Sequence, residues 1–423
     1  MKRAFAIVLL VLLTLAAAVV VLNFRDEESI DASLPSSPAT PEQIARGAYL
    51  AQAGNCMGCH TTRDGVPYAG GRGIETPFGT VYTSNLTPDS ATGIGRWGPA
   101  HFWRALHNGR SRDGHLLYPA FPYTNYTLLR REDSDAIYAY LRSLRPVVQA
   151  NRAHGLRFPF NTQPALAVWR ALYFKPGSSV NDAEQSAEWN RGAYLVQGLG
   201  HCNACHGSRN ALGATSGTLD LGGGLIPMQN WYAPSLSDPH EAGVAGWQTQ
   251  QIVDLFKNGV THGASVLGPM AEVVSGSTQH LSDADLRAMA VYLKALTPTQ
   301  SESAPPASPS SDLASNRGAK LYEQHCVSCH GDKGEGVPGA YPALAGNRAV
   351  TMKSPANLVR IVLEGGFAPS TAGNPRPYGM PPFATTLNND DTAALLSFVR
   401  AAWGNRGSPV SVLEVDRYRG TAK

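Results

Sequence analysis

Three short segments of the sequence carry two cysteines followed at once by a histidine. They are Cys56-Met-Gly-Cys59-His60, Cys202-Asn-Ala-Cys205-His206 and Cys326-Val-Ser-Cys329-His330. Two thiols one helical turn apart can form thioether bonds to the two vinyl groups of a porphyrin, and the histidine that follows is then held beneath the iron as an axial ligand. The pattern predicts three covalently bound haem c groups, and it uses all six cysteines of the chain.

Two other chemistries use paired cysteines, and both fit this pattern poorly. A structural zinc site combines two such pairs around one ion, whereas here three pairs each have their own adjacent histidine. A thioredoxin-like redox pair belongs to a strand-helix-strand unit and needs no histidine after its second cysteine. Covalent haem attachment is therefore the favoured interpretation.

The elements around each motif are repeated as well. An Arg-Gly-Ala segment precedes each motif, at Arg46, Arg191 and Arg317. A closing segment with Asp or Ser near its start and an apolar stripe at helical spacing ends each unit, over residues 133–144, 283–296 and 390–403. Each unit therefore consists of an opening helix, the motif, a long loop region and a closing helix.

This repeat predicts an all-α fold with three tandem cytochrome c domains after one N-terminal transmembrane helix. The divisions are a membrane anchor or signal over 1–24, a linker over 25–41, domain 1 over 42–149, a connecting segment over 150–184, domain 2 over 185–298, a Pro/Ser-rich linker over 299–313, domain 3 over 314–404 and a tail over 405–423.

The N-terminus indicates where the protein works. Lys2 and Arg3 precede an apolar run over residues 4–22, which as a helix is about as long as a bilayer is thick. The alanines over 16–18 are followed by further apolar residues, which favours an uncleaved anchor over a cleaved signal peptide. A buried core helix is the weakest alternative. We expect the rest of the chain on the periplasmic side of a bacterial inner membrane.

Methionine is the residue expected opposite the histidine, because a thioether ligand raises the reduction potential of haem iron. Met380 lies in a Pro-flanked loop fifty residues after His330, and Met270 lies at a comparable place after His206 with Met228 as its local rival. We expect Met289, on the stripe of a closing helix, to be a core residue.

The first unit has no methionine at the corresponding place. Aligning the Asn-Gly pairs of the first two units places Phe121 opposite Met270. The sixth position of the first iron is then filled by His115, by His101 or His107, or by no protein ligand, and His115 lies nearest the expected loop. The histidines that directly precede two of the motifs, His201 and His325, are expected to be exposed.

Several longer motifs resemble one known family, the three-haem cytochrome c subunits of membrane-bound periplasmic dehydrogenases of the alcohol, gluconate and aldehyde dehydrogenase type. The first domain carries AGGRGIETPFGT (69–80), SNLTPD (84–89), TGIG (92–95) and LYPAFPY (117–123). The second carries WYAPS (231–235) and GPMAEVV (268–274), and the third carries MPP (380–382).

The resemblance implies a partner and an acceptor. Such subunits take electrons from a large dehydrogenase subunit, which is a quinoprotein, a flavoprotein or a molybdenum hydroxylase, and pass them to ubiquinone or a terminal oxidase. The family's distal methionines fall on Met270 and Met380. Phe121 departs from the alcohol-oxidising branch, which has methionine there.

The sequence therefore predicts an electron relay for a dehydrogenase that oxidises an alcohol, a sugar or an aldehyde. The chain carries no Gly-rich nucleotide motif and no acid/base pair in a matched context, so no substrate site of its own is expected. Its net charge of +3 is too small to indicate nucleic-acid binding. Two alternatives stay open, namely a haem enzyme acting on peroxide at an open first haem and a cytochrome subunit of an oxidase complex.

Overall fold

A computed structural model of the chain describes residues 1–25, 27, 30, 38–215, 217, 220–261, 263–299 and 312–419. Most of the predicted linker over 299–313 lies outside the described residues, as does much of the linker over 25–41. The described residues form two compact structural units, whose bounds differ from those of the three repeated sequence units described above. The first unit comprises Met1–Ala183, Tyr194–Ala204 and Asn210–Thr218, and the second comprises Glu184–Ala193, Cys205–Arg209 and Leu219–Lys423.

The N-terminal apolar run forms one helix, α1 (Lys2–Asn23). Its 22 residues rise about 33 Å, and its most apolar window has a mean hydropathy of 3.2. Among the described residues it is the one helix with the length and composition to cross a membrane. Only its last residue, Asn23, is buried, so the alternative of a buried core helix is wrong.

The elements that follow as far as residue 183 are mostly helical. The helices are α2 (Pro41–Ala53), α3 (Cys56–Cys59), α4 (Pro99–Asn108), α5 (Tyr123–Tyr126), α6 (Arg131–Ser143) and α7 (Gln163–Tyr173). One antiparallel sheet has the strand order β1 (Gly73–Thr76), β2 (Gly79–Tyr82) and β3 (Gly155–Leu156). Ile74 faces Val81 across the first pair, and Thr80 faces Gly155 across the second.

The middle of the chain has the helices α8 (Ala187–Ala193), α9 (Asn203–His206), α10 (Thr249–Asn258), α11 (Pro269–Gly276) and α12 (Asp283–Lys294), with a π-helix over Tyr194–Leu199 and a 3₁₀ turn over Thr278–His280. Two antiparallel pairs accompany them, β4 (Gly224–Leu225) with β5 (Tyr232–Ala233) and β6 (Val260–Thr261) with β7 (Ala264–Ser265).

The last part has the helices α13 (Asp312–His325), α14 (Val327–His330), α15 (Arg348–Thr351), α16 (Ala356–Glu364), α17 (Asn389–Ala401) and α18 (Val412–Arg419), with one strand pair, β8 (Gly366–Phe367) and β9 (Gly379–Met380). The three predicted closing helices are therefore confirmed to within two residues as α6, α12 and α17. Helix α18 lies in the predicted tail, and its Val415 and Tyr418 are buried in the core beneath α17.

The fold is dominated by helices, as predicted, but it is not purely helical. The strands are two to four residues long and pair through backbone hydrogen bonds within the long loop regions. Segments this short show no alternation of apolar and polar residues, which is the sequence signal for a strand. The all-α expectation therefore missed them.

Opening and closing helices cross at a glycine in all three repeats. A methyl group on Gly47 would lie 1.9 Å from the Ala136 carbonyl oxygen, and the corresponding distances are 1.9 Å from Gly192 to Ala288 and 2.3 Å from Gly318 to Ala394. No side chain fits in that space, so the repeated glycine is required for the two helix backbones to approach.

The arginine before each glycine forms an ion pair with an aspartate of the closing helix. The pairs are Arg46 with Asp133, Arg191 with Asp285 and Arg317 with Asp391. Their nitrogen–oxygen distances lie between 2.5 and 2.7 Å. Each Arg-Gly pair thus specifies a close crossing of two helices with an ion pair at its edge. We call this combination of glycine crossing and ion pair the crossing clamp.

Candidate haem-attachment sites

Each cysteine motif lies in or beside a single helical turn that follows an opening helix. These turns are α3, α9 and α14. The residue before the first cysteine has a left-handed backbone in two of them, with φ of 47° at Asn55 and 40° at His201. Asparagine tolerates this conformation, whereas histidine there is a strained choice of the kind found at functional sites.

Burial raises the pKa of the first thiol in two of the motifs. It raises the pKa of Cys56 to about 12, and a negative charge on Cys59 would add to the shift. The pKa of Cys326 is raised to about 11 for the same reasons, with Cys329 as the neighbour. A redox-active or zinc-binding cysteine has a lowered pKa, so these two sites suit an apolar cofactor better than thiolate chemistry.

The three histidines share one geometry. The Nδ1 atom of His60 lies 2.7 Å from the carbonyl oxygen of Ser84, that of His206 lies 2.7 Å from Pro234 O, and that of His330 lies 2.9 Å from Pro342 O. A carbonyl oxygen only accepts, so Nδ1 carries the proton in each ring. The other nitrogen, Nε2, is left with a lone pair, as a metal-binding histidine requires.

Burial also favours the neutral form of these rings. It lowers the pKa of His60, His206 and His330, and the bond to the backbone carbonyl opposes the shift in each case. Neutral imidazole is the form that ligates a metal. A pair of thiols next to one oriented, neutral imidazole therefore fits haem c in chemistry and in tautomer.

The loop around Met380 is held against the third motif. Tyr378 packs on Tyr341 at 5.0 Å between ring centroids, and Phe383 meets the ring of His325 edge-on at 5.8 Å. Met380 and Cys326 both border the same apolar core. Its place is consistent with the predicted ligand role, which stays a prediction.

Met270 is the second residue of α11, and Gly268 just before that helix packs against an indole ring. Gly268 has φ of +56°, and a methyl group there would lie 2.7 Å from the ring of Trp231. Three residues after Trp231, the Pro234 carbonyl accepts the hydrogen bond from His206. One segment, 231–234, therefore contacts both the loop of Met270 and the second histidine.

The other methionines are placed differently. Met289 and Met352 are buried in the apolar core, as expected for Met289, while Met57 and Met228 are largely exposed. Met228 also has a left-handed backbone with φ of 61°. The structure thus separates the core methionines from the two predicted ligands, which are partly buried.

Phe121, which the sequence alignment places opposite Met270, belongs to an aromatic cluster in the first repeat. The ring of Phe121 packs on Tyr126 at 5.4 Å. The hydroxyl of Tyr126 donates to Gly54 O, two residues before Cys56. Burial raises the pKa of Tyr126 well above its usual value, and the nearby Cys56 and Cys59 contribute. Phe121 therefore belongs to the wall beside the first motif.

His115 lies in an exposed loop. Its Nδ1 atom is 2.9 Å from Ser111 Oγ and 2.5 Å from Asp113 Oδ1. Half of its side chain is exposed. These contacts keep the ring within its own loop, and its role as the sixth ligand stays a prediction.

The sequence did not reveal a contact between the segments that precede the first two motifs. His201 is partly buried, which the expectation of an exposed side chain missed, and its Nε2 atom lies 3.3 Å from Gly54 O. Its ring also meets Tyr126 edge-on at 5.5 Å. The segments directly before Cys56 and Cys202 are therefore in contact. The left-handed backbone of His201 is the local feature that accompanies this contact.

Comparison with known protein families identifies the domains. The family model described as cytochrome c matches residues 44–145 and 315–403, and the model described as cytochrome c oxidase, cbb3-type, subunit III matches residues 187–293. Each of the three motifs lies within one of these matched stretches.

Several similar proteins match over most of the chain. The cytochrome c subunit of a quinone alcohol dehydrogenase from Gluconacetobacter polyoxogenes is 36% identical over 89% of this chain and 84% of its own. The cytochrome c subunit of gluconate 2-dehydrogenase from Pantoea cypripedii is 35% identical over 91% of both. A nicotinate dehydrogenase component from Pseudomonas putida is 40% identical over 86% of this chain, which matches 31% of that longer protein.

Proposed function

Because the chain belongs to the family of cytochrome c subunits of dehydrogenase complexes, we propose that it binds three haem c groups and relays electrons from a large dehydrogenase subunit to ubiquinone or a terminal oxidase. The proposal assigns Cys56, Cys59, Cys202, Cys205, Cys326 and Cys329 to covalent attachment, His60, His206 and His330 to the proximal position and Met270 and Met380 to the distal position. Haem c, when bound, supplies a one-electron ferrous and ferric couple.

The single observation that carries the proposal is the threefold histidine geometry. Three imidazoles, each directly after a cysteine pair, donate Nδ1–H to a backbone carbonyl at 2.7 to 2.9 Å. A backbone acceptor fixes both the tautomer and the ring plane. The chain thereby orients three Nε2 lone pairs in the same way.

The proposed distal residue, and with it the reduction potential, differs between the sites. Met380 and Met270 provide a thioether sulfur, which raises the reduction potential of the iron. In the first site Phe121 occupies the position that aligns with Met270. We therefore expect the first site to have the lowest potential and to lie towards the electron-input side. A redox titration that showed three similarly high potentials would contradict this order.

A count of haem groups tests the proposal directly. The exported, matured chain should contain three haem groups by mass and by alkaline pyridine spectroscopy. Replacing Cys326 and Cys329 together with alanine should leave two, and a Met352→Leu control in the same unit should leave three. A parent chain with fewer than three, or with zinc, would contradict the proposal.

The partner is tested by electron flow. We propose a quinoprotein, a flavoprotein or a molybdenum hydroxylase as the large subunit, as the family resemblance implies. A dehydrogenase partner is supported by similar proteins that are subunits of alcohol, nicotinate and gluconate dehydrogenases. Copurification with a large subunit, and reduction of the cytochrome by that subunit's alcohol, sugar or aldehyde substrate, is the expected result. Reduction by a membrane donor in the absence of a dehydrogenase would instead support the oxidase-subunit alternative, which the match of residues 187–293 favours.

Phe121 favours a further candidate function, an enzyme activity at the first haem site. If neither His115 nor another side chain fills the sixth position of the first site, a small ligand such as peroxide has access there. Carbon monoxide binding by the reduced chain together with peroxide turnover would support this enzyme activity. Carbon monoxide binding without turnover would leave the relay function.

We also propose that α1 stays attached and anchors the protein on the periplasmic side of the inner membrane. Its exposed apolar surface and its length support this placement. An N-terminal sequence that begins at residue 19 or later in the mature protein would contradict it.

A further inference from the structure

The last residue of α1 is bound into the first unit through its side chain and its backbone. The side-chain nitrogen of Asn23, Nδ2, donates to Ala167 O at 2.8 Å, and its side-chain oxygen accepts from Arg170 Nε at 2.9 Å. The Asn23 carbonyl accepts from Arg110 at 3.0 Å. Asn23 is only 5% exposed, so the end of α1 is docked on this unit.

The residues just after α1 extend this attachment. Arg110 forms an ion pair with Glu27 at 2.9 Å, and its guanidinium lies 4.5 Å from the centre of the Phe24 ring. Both partners of the ion pair are about one-tenth exposed or less. Glu27 belongs to the predicted linker, which was expected to be a polar tether. Here it is part of a buried charged cluster at the base of α1.

The hydrogen bond from Asn23 to Ala167 fixes α7 beside the end of α1. If α1 spans a bilayer, its C-terminal residue lies at the level of the lipid headgroups, and the backbone of Ala167 lies there too. Leu166 and Arg170 form the buried side of α7. The opposite side carries Val168 and Leu172, one helical turn apart, and they are 47% and 65% exposed.

Charge and aromatic residues around this face match a lipid surface. Residues 157–175 contain no Asp or Glu, and they begin with the exposed Arg157 and end with the exposed Lys175. Phe24, just after α1, and Phe158, shortly before α7, are exposed apolar rings. Apolar side chains flanked by basic ones are typical of helices that lie in a membrane interface, and aromatic rings are enriched at that depth.

We propose that the exposed face of α7, with Val168 and Leu172 at its centre, lies in the headgroup layer of the membrane that α1 spans. The occupant of this face is the lipid itself and neither the dehydrogenase partner nor a second copy of the chain. The first unit is then held rigidly against the bilayer. This inference rests on the proposed anchoring by α1.

Thiol reactivity in lipid vesicles tests the proposal. After haem attachment, an engineered cysteine is the single thiol of the chain, because all six native cysteines belong to the motifs. Full-length V168C, L172C and L10C variants are placed in vesicles of phosphatidylcholine and phosphatidylglycerol without a dehydrogenase subunit. V66C is the control, since Val66 in the same unit is 52% exposed. Labelling by a water-soluble anionic maleimide is followed by mass.

We expect V168C and L172C to react on the order of tenfold more slowly than V66C, because side chains in the interface meet a charged reagent only transiently. L10C should be protected as well. Reactive V168C and L172C beside a protected L10C would overturn this inference alone, whereas a reactive L10C would overturn the anchoring and the inference together. Equal protection of V66C would also overturn it.

Two further experiments distinguish lipid from a protein partner as the occupant of the exposed face of α7. Protection that requires added dehydrogenase subunit would assign the face to that subunit and overturn the proposal. Protection that disappears when the protein is diluted in lipid would assign it to a second copy and overturn the proposal. Protection that is independent of both supports the lipid.

Discussion

Replacing Asp133 with alanine should destabilise the first crossing clamp more than the matched changes in the other two. The Asp133 side chain is 1% exposed and serves two partners, Arg46 and the hydroxyl of Tyr194 at 2.6 Å. Asp285 and Asp391 are 12% and 19% exposed. Removing Asp133 takes away an acceptor of the Tyr194 O–H, while the Tyr194 oxygen still accepts from Arg130 N–H at 3.3 Å, and Tyr194 is 3% exposed.

The magnitude follows from those exposures. An unsatisfied buried hydroxyl costs about 1 to 3 kcal/mol. Arg46 keeps half of its side chain in water, so loss of its ion pair adds no more than about 1 kcal/mol. We therefore expect D133A to lower the opening free energy of α6, the helix that carries Asp133, by about 3 kcal/mol, against about 1 kcal/mol or less for α17 in D391A.

Hydrogen exchange followed by mass spectrometry measures each closing helix separately, which avoids treating a multidomain chain as two-state. About 3 kcal/mol corresponds to exchange on the order of a hundredfold faster in α6, and about 1 kcal/mol to a fewfold change in α17. Tyr194→Phe in the D133A background should recover part of the loss, because it removes the hydroxyl that has lost this acceptor. Equal acceleration in D133A and D391A, or no recovery, would refute the reasoning.

Three further predictions concern the ligands, the helix crossing and pH. Met380→Leu should lower the potential of one third of the haem absorbance in a redox titration, because thioether ligation raises it, whereas Met352→Leu in the core should not. Gly192→Ala should open the crossing of α8 and α12, because its methyl group would lie 1.9 Å from a carbonyl oxygen. Hydrogen exchange in α8 should then become faster. Gly246→Ala is the control, since Gly246 has open space around it, and it should leave the exchange of α8 unchanged. Burial raises the pKa of Glu241 above its usual 4.5, so the folded state favours the protonated carboxyl. The Glu241 contribution to stability should therefore fall as the pH rises from 4.5 through the raised pKa, and Glu241→Gln should flatten that part of the urea-midpoint profile between pH 4.5 and pH 7.

The local features of the fold were predictable from the sequence. The closing helices follow from apolar spacing and from Asp or Ser near their starts, and the structure confirms α12 (Asp283–Lys294) with the Ser282 side chain as its cap. The attachment turns follow from the cysteine spacing, since two cysteines three apart lie on one helical turn. These signals lie within a few residues of one another.

Apart from the short strands, the main missed contacts join residues far apart in the chain. The clamp between Arg46 and Asp133 spans 87 residues, the bond from Tyr194 to Asp133 spans 61, and the contact of His201 with Gly54 spans 147. Nothing in local spacing identifies such partners. The carbonyl acceptors of the three histidines were missed for a similar reason, because a backbone acceptor has no side-chain signature.

The crossing clamps also fix an order of events in the making of the protein. In each repeat the arginine precedes its aspartate by 74 to 94 residues, and the cysteine motif follows the arginine by about ten. In the proposed export of the chain, each motif would therefore emerge before the closing helix of its repeat. The thiols would be accessible for the proposed haem attachment during that interval, and the closing helix would pack on the opening helix afterwards.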